Sequence, residues 1–198
     1  MKKIIVATGN EGKMREIRMI MKNLDIELVS LKEAGIEADI EENGTTFEEN
    51  AIIKAKAIME LTGAVVMADD SGLEVDYINK EPGVYSARYL GKDTPYSVKN
   101  KNIIDRLAEA KGEERSARFV CAIAVAFPDG RILTSRGVIE GFIGYEEKGT
   151  NGFGYDPIVY VPEYGMTTGE MDPDFKNSIS HRGKAIAKMT EQLKELYF

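Results

Sequence analysis

Apolar positions along the chain fall into short runs and helical stripes. Ile4-Ile5-Val6, within Lys3–Ala7, is a run of strand length and predicts a buried strand. Over Gly12–Asn23 the pattern changes, and Met14, Ile17, Met21 and Leu24 recur at helical spacing. A second strand follows at Ile26–Ser30, and β-α-β order predicts an α/β fold. Thr46-Phe47-Glu48-Glu49 is a capping box, in which the hydroxyl and the carboxylate each satisfy a free backbone N–H. The helix it opens runs to about Leu61 on a stripe of Phe47, Ala51, Ala55 and Ile58, and Gly63 suits its C-terminal cap. Val65–Ala68 is a short apolar strand that stops at Asp69-Asp70-Ser71-Gly72. Thr94-Pro95 starts another helix with proline at its first position, and Gly112 lies just past its end. Arg118–Phe127 and Arg131–Glu140 flank Pro128-Asp129-Gly130, which predicts a long β-hairpin. Ile158–Val161 reads as a strand, and Ser180 onward as a final helix with Ile186, Met189, Leu193 and Leu196 on one face. The expected architecture is α/β with a mixed sheet that includes the hairpin.

Length and composition narrow the classes. The 198 residues fit one globular domain, taken as 1–198, with room for a modest second lobe and no repeat or linker. With 43% hydrophobic and 30% charged residues, disorder as the main state is excluded. No apolar run approaches the roughly 18 residues of a membrane span, and the N-terminal run is too short for a signal peptide. Cys121 is the only cysteine, so an intrachain disulfide and a Cys-rich metal cage are excluded and a reducing cytosol is expected. A net charge of -7 argues against a nucleic-acid coat. The charges are segregated: residues 1–24 and 176–198 are rich in Lys and Arg, whereas 33–49 carry acids and no base. Such runs are either solvated surface or the two halves of a site that grips an anion with the help of a divalent cation.

Four stretches carry residue types that could do chemistry. Thr8-Gly9-Asn10-Glu11-Gly12-Lys13 joins a strand to a helix, with free N–H groups, two glycines and a lysine. That is the physics of a phosphate cradle, although the Walker spacing and G-x-G-x-x-G are both missing, and a plain tight turn is the alternative. Asp69-Asp70 sits at an expected strand end, and Glu41-Glu42 precedes a capped helix; Mg²⁺ prefers such oxygen ligands. Either pair can equally be turn or surface acids. Gly152-Phe153-Gly154-Tyr155-Asp156-Pro157 presents aromatic rings that either stack on a base or fold back on the core. Lys176 and Ser180-His181-Arg182-Gly183-Lys184 put cations and the only histidine near a helix start. Cys121 lies among apolar neighbours and reads as core, and no G-x-S-x-G elbow supports a serine triad.

Together these segments resemble the inosine triphosphate pyrophosphatase (ITPase) family, the bacterial dITP/XTP pyrophosphatases. The motifs are ATGNEGK, EENGTTFEENAIIKAKA, ADDSGLEVD, PGVYSARY, GFGYDP, and Lys176 with SHRGKA, in the family's order and over nearly the whole chain. The resemblance implies an elongated two-lobed α/β fold with a central mixed sheet flanked by helices. It also implies a cytosolic homodimer and Mg²⁺-dependent hydrolysis of ITP, dITP and XTP to the monophosphate and pyrophosphate. By the same resemblance Thr8, Gly9, Asn10, Glu11, Gly12 and Lys13 hold phosphates, and Glu41 and Asp70 bind Mg²⁺. Asp70 also accepts a proton from water, and Ser71 contacts substrate. Phe153, Gly154, Tyr155, Asp156, Lys176, His181 and Arg182 form the base pocket, with Arg182 or a backbone N–H aimed at the 6-oxo group. Two alternatives compete: a pyrophosphatase with pyrimidine or modified-base preference, and a non-catalytic nucleotide-binding module. No nucleic-acid or membrane partner is expected.

Overall fold

The computed structural model describes the backbone of residues 2–197 and the side chains of residues 2–194, so Leu196 of the predicted stripe lies outside the described side chains. The strands are β1 (Lys2–Val6), β2 (Ile26–Ser30), β3 (Val66–Val75), β4 (Glu81–Pro82), β5 (Ser116–Ala126), β6 (Ile132–Ile143), β7 (Val159–Val161) and β8 (Met166–Thr167). The α-helices are α1 (Glu11–Met21), α2 (Phe47–Thr62), α3 (Tyr96–Arg106), α4 (Pro173–Ile179) and α5 (His181–Tyr197). The strands form a mixed sheet in the order β2-β1-β3-β5-β6-β7-β8, with β4 on β3. β1 pairs in parallel with β2 and β3, and β6 pairs antiparallel with β7. The protein is thus α/β, with a central mixed sheet flanked by helices.

The chain divides into two compact units, one of 1–70, 121–137 and 181–198, the other of 71–120 and 138–180. Each has its own core. In the first, Met14, Ile17 and Met21 of α1 pack with Ile4, Val6 and Met67 of the sheet and with Ile186, Met189 and Leu193 of α5. In the second, Ile103 and Leu107 at the end of α3 pack with Leu73, Phe119, Ile139 and Ile158. Fully burying one such side chain stabilises by roughly 1.5–3 kcal/mol, so the predicted stripes on α1 and α5 are sufficient reason for their docking. On α2 both arms of the capping box form, between Thr46 and Glu49, and Gly63 closes the helix with its N–H on the Met59 carbonyl. Arg115, only 2% exposed, donates to the carbonyls of Leu107, Ala110, Ile143 and Gly144, tying the chain after α3 to the end of β6.

Three expectations are corrected. β3 does not stop at Ala68 but continues through Asp69-Asp70-Ser71-Gly72 to Val75. Residue type suggested a turn there, yet ion pairs hold both aspartates in extended backbone. α3 begins at Tyr96, with Pro95 in the cap position at φ -57 and ψ 143, outside the helix rather than in it. Gly112 opens a separate 3-10 turn, Gly112–Arg115, and does not cap α3, which ends at Arg106. The short α4 was not foreseen, although its signal is present: Asp172 caps the N–H groups of Asp174 and Phe175, and Pro173 follows in the first turn.

Candidate active site

In the first unit, β1 delivers the chain to the turn that opens α1. Asn10 caps this helix, its side chain accepting from the Lys13 N–H at 3.0 Å, and its own N–H donates to Thr8 Oγ1 at 3.2 Å. Gly9 and Glu11 are exposed, Gly12 is buried, and Thr8 and Asn10 are half-buried. Thr8 and Asn10 therefore shape the turn, and Lys13 reaches from the first turn of α1 to Asp69, Nζ to Oδ1 at 2.7 Å.

Asp69 is fully buried and is a hub. Its Oδ2 accepts from Arg182 Nε at 2.8 Å and from the Cys121 thiol at 3.1 Å. Arg182 is 1% exposed, and its Nη1 donates to Glu16 of α1. Burial opposes ionisation of Asp69, but Arg182 and Lys13 outweigh it and hold the carboxyl well below the usual carboxylate range. Burial, reinforced by Asp69, pushes the Cys121 thiol up, so it is a core thiol and not a nucleophile. Arg182 thus stands between two buried carboxylates, where it ties α5 to β3 and α1. His181 precedes it, buried at the start of α5. A Cβ on Gly137 would lie 2.0 Å from the His181 carbonyl, so only glycine in β6 lets this helix start approach so closely.

Asp70, next along β3, is 6% exposed. Its Oδ1 lies 3.3 Å from Lys54 Nζ, and its Oδ2 is buried with no hydrogen-bond partner. Burial pushes the Asp70 carboxyl up to about 6; Lys54 and Lys13 oppose this, Glu42 and Asp69 reinforce it. Lys54 also pairs with Glu42 Oε2 at 3.0 Å and donates to the Asp69 carbonyl at 2.9 Å. Of the two loop acids it is Glu42 that joins Asp70 through Lys54, whereas the Glu41 side chain is exposed. Among the described residues no three His, Cys, Asp or Glu side chains converge as a metal cage. One or two carboxylates with an unused oxygen nevertheless match what Mg²⁺ takes from protein when phosphates supply the rest.

The second unit holds Ser71, half-buried on β3, together with the 153–156 loop and Lys176. Tyr155 and Asp156 are buried. The Tyr155 ring meets Tyr96 edge-on at 5.2 Å, and its hydroxyl donates to the Ser86 carbonyl at 2.6 Å. Asp156 Oδ2 accepts from Lys176 Nζ at 2.6 Å and from the Phe153 N–H at 2.9 Å, while Oδ1 accepts from Thr168 Oγ1 at 2.8 Å. Lys176 Nζ also lies 5.4 Å from the Phe153 ring centre. Tyr155 and Asp156 therefore build the loop from beneath, and Phe153 is the half-buried aromatic of the loop. Asn100 of α3 donates to the Gly154 carbonyl at 3.3 Å and to Glu147 at 2.7 Å.

The predicted residues fall into two sets: Thr8–Lys13, Glu41, Asp70, His181 and Arg182 in one unit, Ser71, Phe153–Asp156 and Lys176 in the other. Sequence reasoning missed Lys54, Glu16, Asn100 and Thr168. For Lys54 a signal existed, since it follows Asn50 by four residues and shares its helix face. Glu16 gave one too, as an acid three residues after Lys13, between Met14 and Ile17 of the buried stripe.

Comparison with known proteins gives concordant findings. The sequence pattern of the Ham1 family matches residues 4–192. A protein of Desulforamulus reducens named dITP/XTP pyrophosphatase is 48% identical over 195 residues, covering 98% of this chain and 97% of its own. A Bacillus anthracis protein of the same name is 46% identical over 199 residues, covering 100% and 98%. The solved structure of a HAM1 protein from Coxiella burnetii superposes with a TM-score of 0.89 at 42% identity, covering 98% of this chain and 100% of that one.

Proposed function

Because this chain belongs to the Ham1 family, we propose that it hydrolyses the non-standard purine nucleoside triphosphates dITP, XTP and ITP to the monophosphate and pyrophosphate, and so cleanses the nucleotide pool. The observation that carries the proposal is Asp70: a buried carboxylate with one unpartnered oxygen, raised to about 6, between two lysines. A carboxyl in that state is ionised at neutral pH and still basic enough to take a proton from water. Asp70 orients the water that attacks the α-phosphorus and accepts its proton. Lys13 and the first-turn amides of α1 hold the phosphates and stabilise the departing pyrophosphate, by position and charge rather than covalent chemistry. Asp70, with a carboxylate of the Glu41-Glu42 loop, would hold Mg²⁺, which supplies charge neutralisation on the triphosphate.

Selectivity rests on hydrogen-bond complementarity. Hypoxanthine and xanthine offer a 6-oxo acceptor, adenine a 6-amino donor, so a donor facing position 6 leaves ATP with unpaired buried groups. The donors proposed for this edge are Arg182, which also pairs with Asp69 and Glu16, or a backbone N–H of the 153–156 loop, with Lys176 bracing that loop through Asp156. GTP shares the 6-oxo group, so its rejection falls to the 2-amino substituent. Pyrophosphate release from a panel of triphosphates tests the proposal. The kcat/KM for ITP should exceed that for ATP by at least ~100-fold. Equal values for ATP would end the selectivity argument, a pyrimidine preference would shift the substrate class, and no release from any nucleotide would leave a binding module.

A cytosolic homodimer belongs to the same proposal, supported by the exposed Tyr77, Tyr85 and Leu90 of the second unit, apolar surface that a second copy would cover. Light scattering should give twice the chain mass; a monomer at micromolar concentration would remove this part.

A further inference from the structure

We infer that Lys54 is a resident counter-cation that keeps the divalent metal out of the site until a nucleotide arrives, so that metal and triphosphate bind as one coupled event. The inference rests on the hydrolytic reading and concerns the order in which its components assemble.

The geometry is specific. The Lys54 ammonium touches three oxygens: Glu42 Oε2 at 3.0 Å, Asp70 Oδ1 at 3.3 Å and the Asp69 carbonyl at 2.9 Å. Its side chain is 13% exposed, so this is an interior contact rather than a surface pairing. The arrangement is built by α2. One turn before Lys54, Asn50 is fully buried and its Oδ1 accepts from the Gly44 N–H at 2.8 Å. A Cβ on Gly44 would lie 2.7 Å from that oxygen, so glycine there lets the acidic loop press onto the helix. The same helix face thus pins the loop and supplies the cation that draws Glu42 and Asp70 together. Asp70 Oδ2, buried and without a partner, marks where a further positive charge is wanted.

A lysine ammonium and a divalent cation cannot share these oxygens cheaply. Like charges a few ångströms apart repel strongly where water screens them poorly, and a double charge repels more than a single one. In the nucleotide-free protein Lys54 therefore competes with the metal for Asp70 and Glu42. A triphosphate offers Lys54 a richer set of anionic oxygens. Once the ammonium turns to the phosphates, both carboxylates are released to the metal that travels with the nucleotide. The protein would thus avoid filling its site with metal alone.

Lys54 acts here through Asp70 and Glu42, as a positioning residue. The test uses Mn²⁺ alone as probe, titrated into nucleotide-free protein and followed by calorimetry and electron paramagnetic resonance. Lys54→Gln should bind Mn²⁺ at least about tenfold more tightly than the parent, because a competing charge has gone. Lys54→Arg, which keeps the charge, should bind as weakly as the parent. Adding Glu42→Gln to Lys54→Gln should cancel the gain. Unchanged or weaker Mn²⁺ binding in a folded Lys54→Gln protein overturns the inference. So does a parent protein that binds Mn²⁺ alone as tightly as it does with a non-hydrolysable inosine triphosphate analogue, a result that needs no variant. Since the readout is metal affinity without substrate, its failure leaves the hydrolytic proposal standing. Absence of pyrophosphate release from every nucleotide would strike that proposal instead.

Discussion

Asp70→Asn is expected to lower turnover of ITP by at least ~100-fold while leaving the folded protein more stable at neutral pH. A hundredfold loss is about 2.7 kcal/mol of barrier, within reach of removing one general base. The stability gain follows from burial. The folded state raises the carboxyl from 3.8 to about 6, so between those values it binds the proton more tightly than the unfolded chain does. In metal-free buffer the contribution favouring the fold is complete below about pH 4 and lost as pH rises through 6. Above that, the ionised parent carries a cost on the order of 3 kcal/mol. Asparagine cannot ionise and removes most of this cost, at the price of loosening Lys54. Thermal melts in chelator should therefore place the variant above the parent at pH 7.5, with the gap closing toward pH 4. A variant that melts lower at every pH would mean that its inactivity is structural, and near-normal turnover would remove Asp70 from the role of base.

Much of this was legible in the sequence where a local rule has a local cause. The capping box at Thr46, the stripe of α1, that of α5 as far as Leu193 and the Pro128-Asp129-Gly130 reversal depend on neighbours within a few positions, and these formed. The ADDSG stretch was misread because its fate depends on Lys13, Lys54 and Arg182, which are distant in sequence. Aspartate and glycine favour turns until cations hold them extended. The same cause explains the site. Residue type identified the Asp69-Asp70 pair and Lys13, but only the fold shows that Asp69 is the anchor and Asp70 the carboxylate with an unpartnered oxygen, one residue apart on opposite faces of a strand. The resemblance alone assigns Tyr155 and Asp156 to the base pocket, while the residues themselves leave the aromatics either stacking on a base or folding back on the core. Their burial beneath the loop depends on Tyr96, Ser86 and Thr168, which no spacing in that motif encodes. Each of the missed polar residues acts through a partner at least twelve positions away, beyond the range of periodicity.

The Arg182 placement makes the remaining prediction the sharpest for stability. Arg182→Ala leaves Asp69 and Glu16 as buried carboxylates without their guanidinium, with Lys13 still paired to Asp69. Breaking a buried ion network from one side costs about 3–5 kcal/mol, because the surviving charges keep their desolvation penalty. Urea denaturation at pH 7.5 should register a loss of that size. The sign of its pH dependence is fixed by Asp69, whose folded carboxyl lies below the unfolded value. The parent holds this contribution above about pH 4 and loses it as pH falls through the folded value, so the gap between parent and variant should narrow in acid. Arg182→Lys restores a charge but not the fork that reaches both carboxylates, and should recover only part of the loss. Were Arg182 only a direct reader of the base, Arg182→Ala would shift the preference for ITP over ATP and leave stability nearly untouched. A loss under about 1 kcal/mol together with a collapsed nucleotide preference would therefore assign Arg182 to the base pocket alone. A large loss of stability with the preference intact in the surviving folded protein would fix it as the tie that holds Asp69, and through Asp69 the position of Lys13.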